Sequence, residues 1–128
     1  MNTQDKSATI SVATQFLACA ARGRARDEAA ALLAPGFRHH NVYFAGDGAS
    51  LLDAMDANAR AYPDKVLEVR LAVSDEDMVA TYCRVRHEAE GPDYAVAHLF
   101  RFEDGKIAEL WDCGQEIPKD SPNENGPF

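Results

Sequence analysis

Long apolar runs are what this sequence most plainly lacks. No stretch approaches the roughly 18 apolar residues that a membrane span needs. The first residues, Met1 to Lys6, have no basic segment followed by an apolar one, so no secretory leader is expected. Basic charge is short as well: 13 Lys and Arg stand against 21 Asp and Glu, a formal net charge of −8. Nucleic acid and anionic membranes are therefore not expected as partners, because both require a Lys/Arg-rich face that releases counterions. Cysteine is scarce and odd in number. Cys19, Cys83 and Cys113 lie far apart with no Cys-x-x-Cys pair. They read as small buried apolar groups in a reducing compartment, with the cytoplasm as the default. A Rossmann glycine pattern, a phosphate loop and an internal repeat are all missing. The four histidines, 39, 40, 87 and 98, form no His-x-x-x-His pair, so neither a metal site nor another cofactor is expected.

What remains is the composition of a globular chain, 46% hydrophobic and 27% charged over 128 residues, which predicts one domain spanning 1–128. Ile10, Ala13, Phe16, Leu17, Ala20 and Ala21 recur at helical spacing and predict a helix over 7–22, capped by Ser7 and ended by Gly23. A short second helix is predicted over 26–33, stopped by Pro35-Gly36. Residues 37–44, FRHHNVYF, read as a short strand or an ordered loop. A third helix follows Gly46–Ser50, with Leu51, Leu52, Met55, Ala59 and Tyr62 inward, and ends at Pro63-Asp64.

The period then changes to two. Leu67, Val69, Leu71 and Val73 alternate with more polar residues and predict a half-buried strand. Val79 to His87 predicts a second, with Thr81, Cys83, Val85 and His87 on one side and Tyr82, Arg84 and Arg86 on the other. Residues 98–112, HLFRFEDGKIAELWD, supply a third and fourth strand around an Asp-Gly turn. Residues 118–128 read as an irregular tail. Helices first and a strand meander afterwards imply an α+β fold: a curved, mainly antiparallel sheet with three helices on one face.

The hairpin carries an imidazole and a carboxylate far from its turn. With a three-residue loop at 103–105, His98 opposes Leu110 and Val96 opposes Asp112. This puts His98 and Asp112 on one face as diagonal neighbours, roughly 7–8 Å apart at the backbone. The plainer reading makes His98 a satisfied core histidine and leaves Asp112 in water at a strand end. A second polar cluster, His39-His40-Asn41, precedes the glycine loop. Adjacent residues of an extended chain point to opposite sides, so one histidine at most enters a given pocket.

These segments, RHHNVYFAGDGASLLDAM and AVAHLFRFEDGKIAELWDCGQEIP, resemble the SnoaL-like polyketide cyclase family of the nuclear-transport-factor-2-like superfamily. The matching motifs are His40-Asn41, the His98 to Phe102 strand, Gly105-Lys-Ile107 and Trp111-Asp112. Val42 departs from the Pro that usually follows His-Asn. The tail stretch 122–126 resembles a bacterial subgroup of predicted aldol-condensation enzymes.

The resemblance implies a conical half-barrel in which Asp112 is the acid/base of an aldol closure. His98 stands nearby, and His40 and Asn41 orient the ligand. Tyr43, Phe44, Phe100 and Trp111 are candidates for apolar walls around it. The expected activity is a cofactor-independent lyase or isomerase step on a small apolar carbonyl compound, carbonyl-bearing or polycyclic. A non-catalytic binding module and a dimerising module are the alternatives. A homodimer is expected through the uncovered sheet face, with Arg84 or Arg86 of one copy meeting Glu109 of the other. The competing arrangement folds the tail back over that face, with Phe128 as its cap.

Overall fold

The computed structural model describes residues 6–128. Helix α1, Lys6–Ala21, buries Thr9, Ala13, Phe16, Leu17 and Ala20 along the expected stripe. Gly23 takes a φ of 76°, the left-handed geometry that ends a helix at little cost to glycine. A Cβ there would sit 3.4 Å from the Ala59 methyl, so glycine also lets the next helix approach. The predicted second helix shrinks to a 3-10 turn, Ala29–Leu32. Two contacts stop it. Asp56 accepts hydrogen bonds from the backbone N–H of Ala25 at 2.8 Å and Arg26 at 3.0 Å, and Leu33 is already extended. Helix α2, Gly48–Ala61, is capped by Asp47, whose carboxylate accepts from Ser50 N–H at 2.9 Å.

Five strands follow the order β1-β5-β4-β3-β2: β1 Leu33–His39, β2 Val66–Asp75, β3 Met78–Arg86, β4 Asp93–Glu103 and β5 Lys106–Glu116. The last four form the expected antiparallel meander. β1 adds a fifth, parallel to β5, which makes the sheet mixed. Pro35 and Gly36 fall inside it, within a register shift between Leu33 and Arg38 that an edge strand tolerates. The fold is α+β, two helices on a curved open sheet. Phe16, Leu17, Leu51, Phe100, Phe102 and Ile107 fill the space between them. No helix among the described residues is long and apolar enough to cross a membrane.

Two sequence expectations change sides. Arg70 is an extra residue in β2, because Val69 pairs with Cys83 while Leu71 pairs with Tyr82. Leu67 and Val69 therefore pack on the core, and Leu71 and Val73 turn outward, each about two-thirds exposed. Cys83 is buried as expected, but Cys113 is exposed. The tail lies against the outer sheet face. Tyr82 Oη donates to the Pro127 carbonyl at 2.8 Å, and the Phe128 ring lies 5.5 Å from both the Tyr82 ring and the Arg70 guanidinium.

Candidate active site

The site begins with the turn between β4 and β5. Asp104 and Gly105 both have positive φ, 51° and 80°, so the loop has two residues and Glu103 opposes Lys106. That register alone would set His98 against Trp111. Ala108 intervenes as an extra residue: Phe102 pairs with Ile107, but Arg101 pairs with Glu109. From there outward the ladder has moved by one, and His98 lies directly opposite Asp112. The expected three-residue loop and diagonal placement are both corrected. Directly opposed side chains start roughly 5 Å apart at Cβ, closer than diagonal ones.

Both residues line a cavity of about 730 Å³, together with Asn41 and Tyr43 of the loop after β1. Leu17, Met55, Leu67, Val85 and Val96 make its apolar wall. Glycine at 114 keeps the cavity's floor low, since a Cβ there would lie 3.0 Å from Val96 Cγ2.

His98 is buried at the cavity floor. Burial pushes its imidazole down to about 4, against an opposing pull from the Asp112 carboxylate. The ring is therefore neutral at neutral pH. It stacks on Phe100 at 6.1 Å, and Nδ1 lies 3.9 Å from Cys83 Sγ. Burial raises the Cys83 thiol, partly offset by Thr81. Thr81 pairs with His98 from β3, and its buried hydroxyl oxygen has no hydrogen-bond partner at normal distance among the described residues.

Asn41 ties the loop to this pair. Its Nδ2 donates to Asp112 Oδ2 at 3.1 Å, and its Oδ1 accepts from Tyr43 N–H at 3.0 Å. His39 is buried but serves its own loop. Nδ1 accepts from Asn41 N–H at 3.1 Å, which leaves Nε2–H to donate to the Ala45 carbonyl at 2.6 Å.

His40, expected to meet ligand, lies on the opposite side of the sheet. Its Nε2 is 2.6 Å from Glu109 Oε2, and its ring stacks on Trp111 at 5.0 Å. Strand alternation explains why His40 and Trp111 both lie outside the cavity, since His40 adjoins Asn41 and Trp111 adjoins Asp112. Phe100, expected as a cavity wall, is fully buried in the core beneath His98. Tyr43 stands at the rim, largely exposed.

The Glu109 carboxylate also accepts from Arg38 at 3.0 and 3.1 Å and from Arg101 at 3.1 Å. These hydrogen bonds, that from His40 foremost, hold it down to about 2 against its burial. The outer cluster holds His40, whose chain neighbour Asn41 lines the cavity on the other side.

Several further polar cavity residues, Asn58, Gln115 and Glu116 among them, escaped sequence reasoning as site groups. Lys65, His87 and Tyr94 line its other end. His87 lies just past β3, on the side that alternation turns inward, but Lys65 follows a Pro-Asp turn, where alternation gives no direction.

A family model described as "SnoaL-like domain" matches residues 13–110. Among solved structures, the chain is similar to a cystatin-like-fold protein of unknown function from Methylobium petroleophilum, with a TM-score of 0.76, 15% identity, and coverage of 99% of this chain and 90% of that one. It is also similar to a candidate ketosteroid isomerase from Kribbella flavida, with a TM-score of 0.71, 22% identity, and coverage of 93% and 86%. A third is an LEH-like epoxide hydrolase from M. tuberculosis, with a TM-score of 0.67, 17% identity, and coverage of 88% and 86%. At these identities the likeness is one of fold. No curated protein matches the chain in sequence.

Proposed function

The chain belongs to the SnoaL-like domain family, and we propose that its cavity is the active site of a cofactor-independent acid/base enzyme. The substrate is a small apolar carbonyl compound, and the reaction an aldol cyclisation, isomerisation or dehydration. The observation that carries this reading is the direct opposition of His98 and Asp112 inside an apolar cavity, with Asn41 on the carboxylate. Asp112 removes the proton beside the carbonyl. The enolate oxygen then takes a hydrogen bond from neutral His98 or from the Asn41 amide. In an aldol closure the enolate carbon attacks a second carbonyl, and the proton held on Asp112 passes to the new alkoxide. In an isomerisation the same proton returns to a different carbon. No electron is gained or lost overall, so side chains suffice. Similar folds carry different chemistries, which is why the reading rests on the site.

A crystal structure with β-tetralone bound tests it. The expected pose puts the carbonyl oxygen within hydrogen-bond reach of His98 or Asn41, with an α carbon facing Asp112. A ligand seated only outside the cavity contradicts the reading.

The functional unit we propose is a cytoplasmic homodimer built on the outer sheet face. Two cross-strand rows support this reading: Val73-Ala80-Leu99-Trp111 and Leu71-Tyr82-Ala97-Cys113. Leu71, Val73 and Leu99 on them are exposed. The pairing expected between Arg84 or Arg86 and a partner's Glu109 has no free groups to draw on. Arg84 bonds Glu68 and Asp93, Arg86 bonds Asp93, and Glu109 is held within its own chain. The contact is therefore apolar. Cys19, Cys83 and Cys113, all unpaired, fit a reducing compartment.

A further inference from the structure

We infer that the end of the cavity away from Asp112 is an anion subsite, in which Lys65 receives an acidic group on an otherwise apolar ligand. This names the ligand class of the proposed active site. It rests on that reading for the carbonyl group, and on Lys65 and its surroundings for the anion.

Lys65, one residue before β2, differs from the arginines of the sheet, of which Arg70 pairs with Glu68 at 3.9 Å. Arg38, Arg84, Arg86 and Arg101 each pair with Glu or Asp at 3.1 Å or closer. Lys65 is half-buried at the cavity, and its ammonium donates to the neutral Asn58 Oδ1. Among the described residues it makes no ion pair within 4 Å. In a chain of formal charge −8, carboxylates are not in short supply. Asp64, beside it in sequence, is exposed; Glu116 also lines the cavity, opposite Tyr94, but is exposed on β5 with β4 and β3 between it and β2, and makes no ion pair with Lys65. Burial lowers the Lys65 ammonium, a cost that an arriving anion relieves.

The adjoining groups suit an acidic oxygen. His87 lies 4.8 Å from the Tyr62 ring and 5.4 Å from the Tyr94 ring. Burial first and then Lys65 keep it below its ordinary value, against Glu88, so it enters as a neutral hydrogen-bonding ring and not as a second cation.

The two ends are set apart. Thr81 marks the His98 row on β3, and His87 lies six residues farther along the same chain. That is a rise of roughly 20 Å in extended backbone. Between the two ends the cavity is walled by the apolar side chains of Leu67, Val85 and Val96. An aromatic or fused-ring body with a carbonyl at one end and a carboxylate or similar acid at the other fits both.

Two fluorescent probes of similar shape test this: anilinonaphthalene sulfonate, which is anionic, and phenylnaphthylamine, which is neutral. Each is titrated into the protein at neutral pH and low salt, and binding to Val96→Trp, with its cavity filled, is subtracted as background. The anionic probe is expected to bind about tenfold more tightly than the neutral one. Lys65→Met removes that preference while leaving the neutral probe's affinity within about twofold, and Lys65→Arg retains it. Asp112→Asn keeps the preference, so failure of the acid/base reading is separable from failure of this one. Equal affinity for the two probes in the native protein, or an unchanged preference in Lys65→Met, overturns the inference.

Discussion

His98 faces Asp112 directly across the β4–β5 ladder, and one residue, Ala108, brings them together. The two-residue turn by itself pairs His98 with Trp111, and the bulge at Ala108 moves the register by one. Inserting one residue between Leu110 and Trp111 moves it by one again, and is expected to bring the indole to the cavity face and turn the carboxylate out. Proton exchange of β-tetralone in heavy water, followed by NMR, should fall to the buffer rate, and the thermal midpoint should drop. Retained exchange would show that the carboxylate acts from elsewhere.

Asn41 and His40 sit on opposite sides of the sheet yet belong to one device. Asn41→Ala removes the donor to Asp112, and an exchange rate about tenfold lower is expected. His40→Ala touches nothing in the cavity but releases the loop from Glu109 and Trp111. It should shift the Asn41 side-chain amide resonances and lower the rate in the same direction. Unmoved amide resonances in His40→Ala would argue against the outer clamp as a positioning element.

Acid stability should fall in two windows. His98 has a folded value near 4 against an ordinary 6.5. Between those values the unfolded chain binds a proton that the folded site refuses, so stability declines as pH drops from about 6.5 to about 4 and then levels off. The full shift corresponds to roughly 3 kcal/mol. Glu109 is held near 2 against 4.5, so its contribution is intact above about 4.5 and is lost as pH falls toward 2. Urea midpoints across pH should show the first slope reduced in His98→Leu and the second in Glu109→Gln. An unchanged upper slope in His98→Leu would contradict the buried, neutral imidazole.

How far the sequence disclosed this arrangement depends on which residues carried a period. The α1 stripe and the β2–β5 meander follow from spacings of 3.6 and 2, and both stand in the structure. β1 was obscured because Pro35 and Gly36 read as a helix stop, while its partner β5 lies far along the chain. Bulges leave no mark on composition. Arg70 turned Leu71 and Val73 outward, and Ala108 sits in an apolar run that reads as regular alternation. At the hairpin, the loop and the bulge were both misjudged, and the two slips compensated: the residues share a face, but opposite each other and not diagonally. His40 could not be placed because alternation says that one of two adjacent histidines turns inward, and not what the inward one will bond.

The outer face bears on assembly. Leu99 lies mid-row on the exposed apolar surface, next to Ala80 and Trp111. Sedimentation at micromolar concentration is expected to give about twice the 14.0 kDa chain mass, and Leu99→Glu is expected to return it to the monomer with the fold retained. A single-chain mass throughout would instead favour the tail, anchored at Tyr82 and Arg70, as the cover of that face.

The central claim is that the Asp112 carboxylate moves the substrate's proton. The rate of β-tetralone α-proton exchange in native protein and in Asp112→Asn tests it most directly, because the substitution keeps the shape and an acceptor oxygen while removing the base. The expected result is native exchange well above buffer and a fall of about 100-fold or more in Asp112→Asn, with the thermal midpoint nearly unchanged. Native exchange no faster than buffer, or equal exchange in the two proteins, would contradict it.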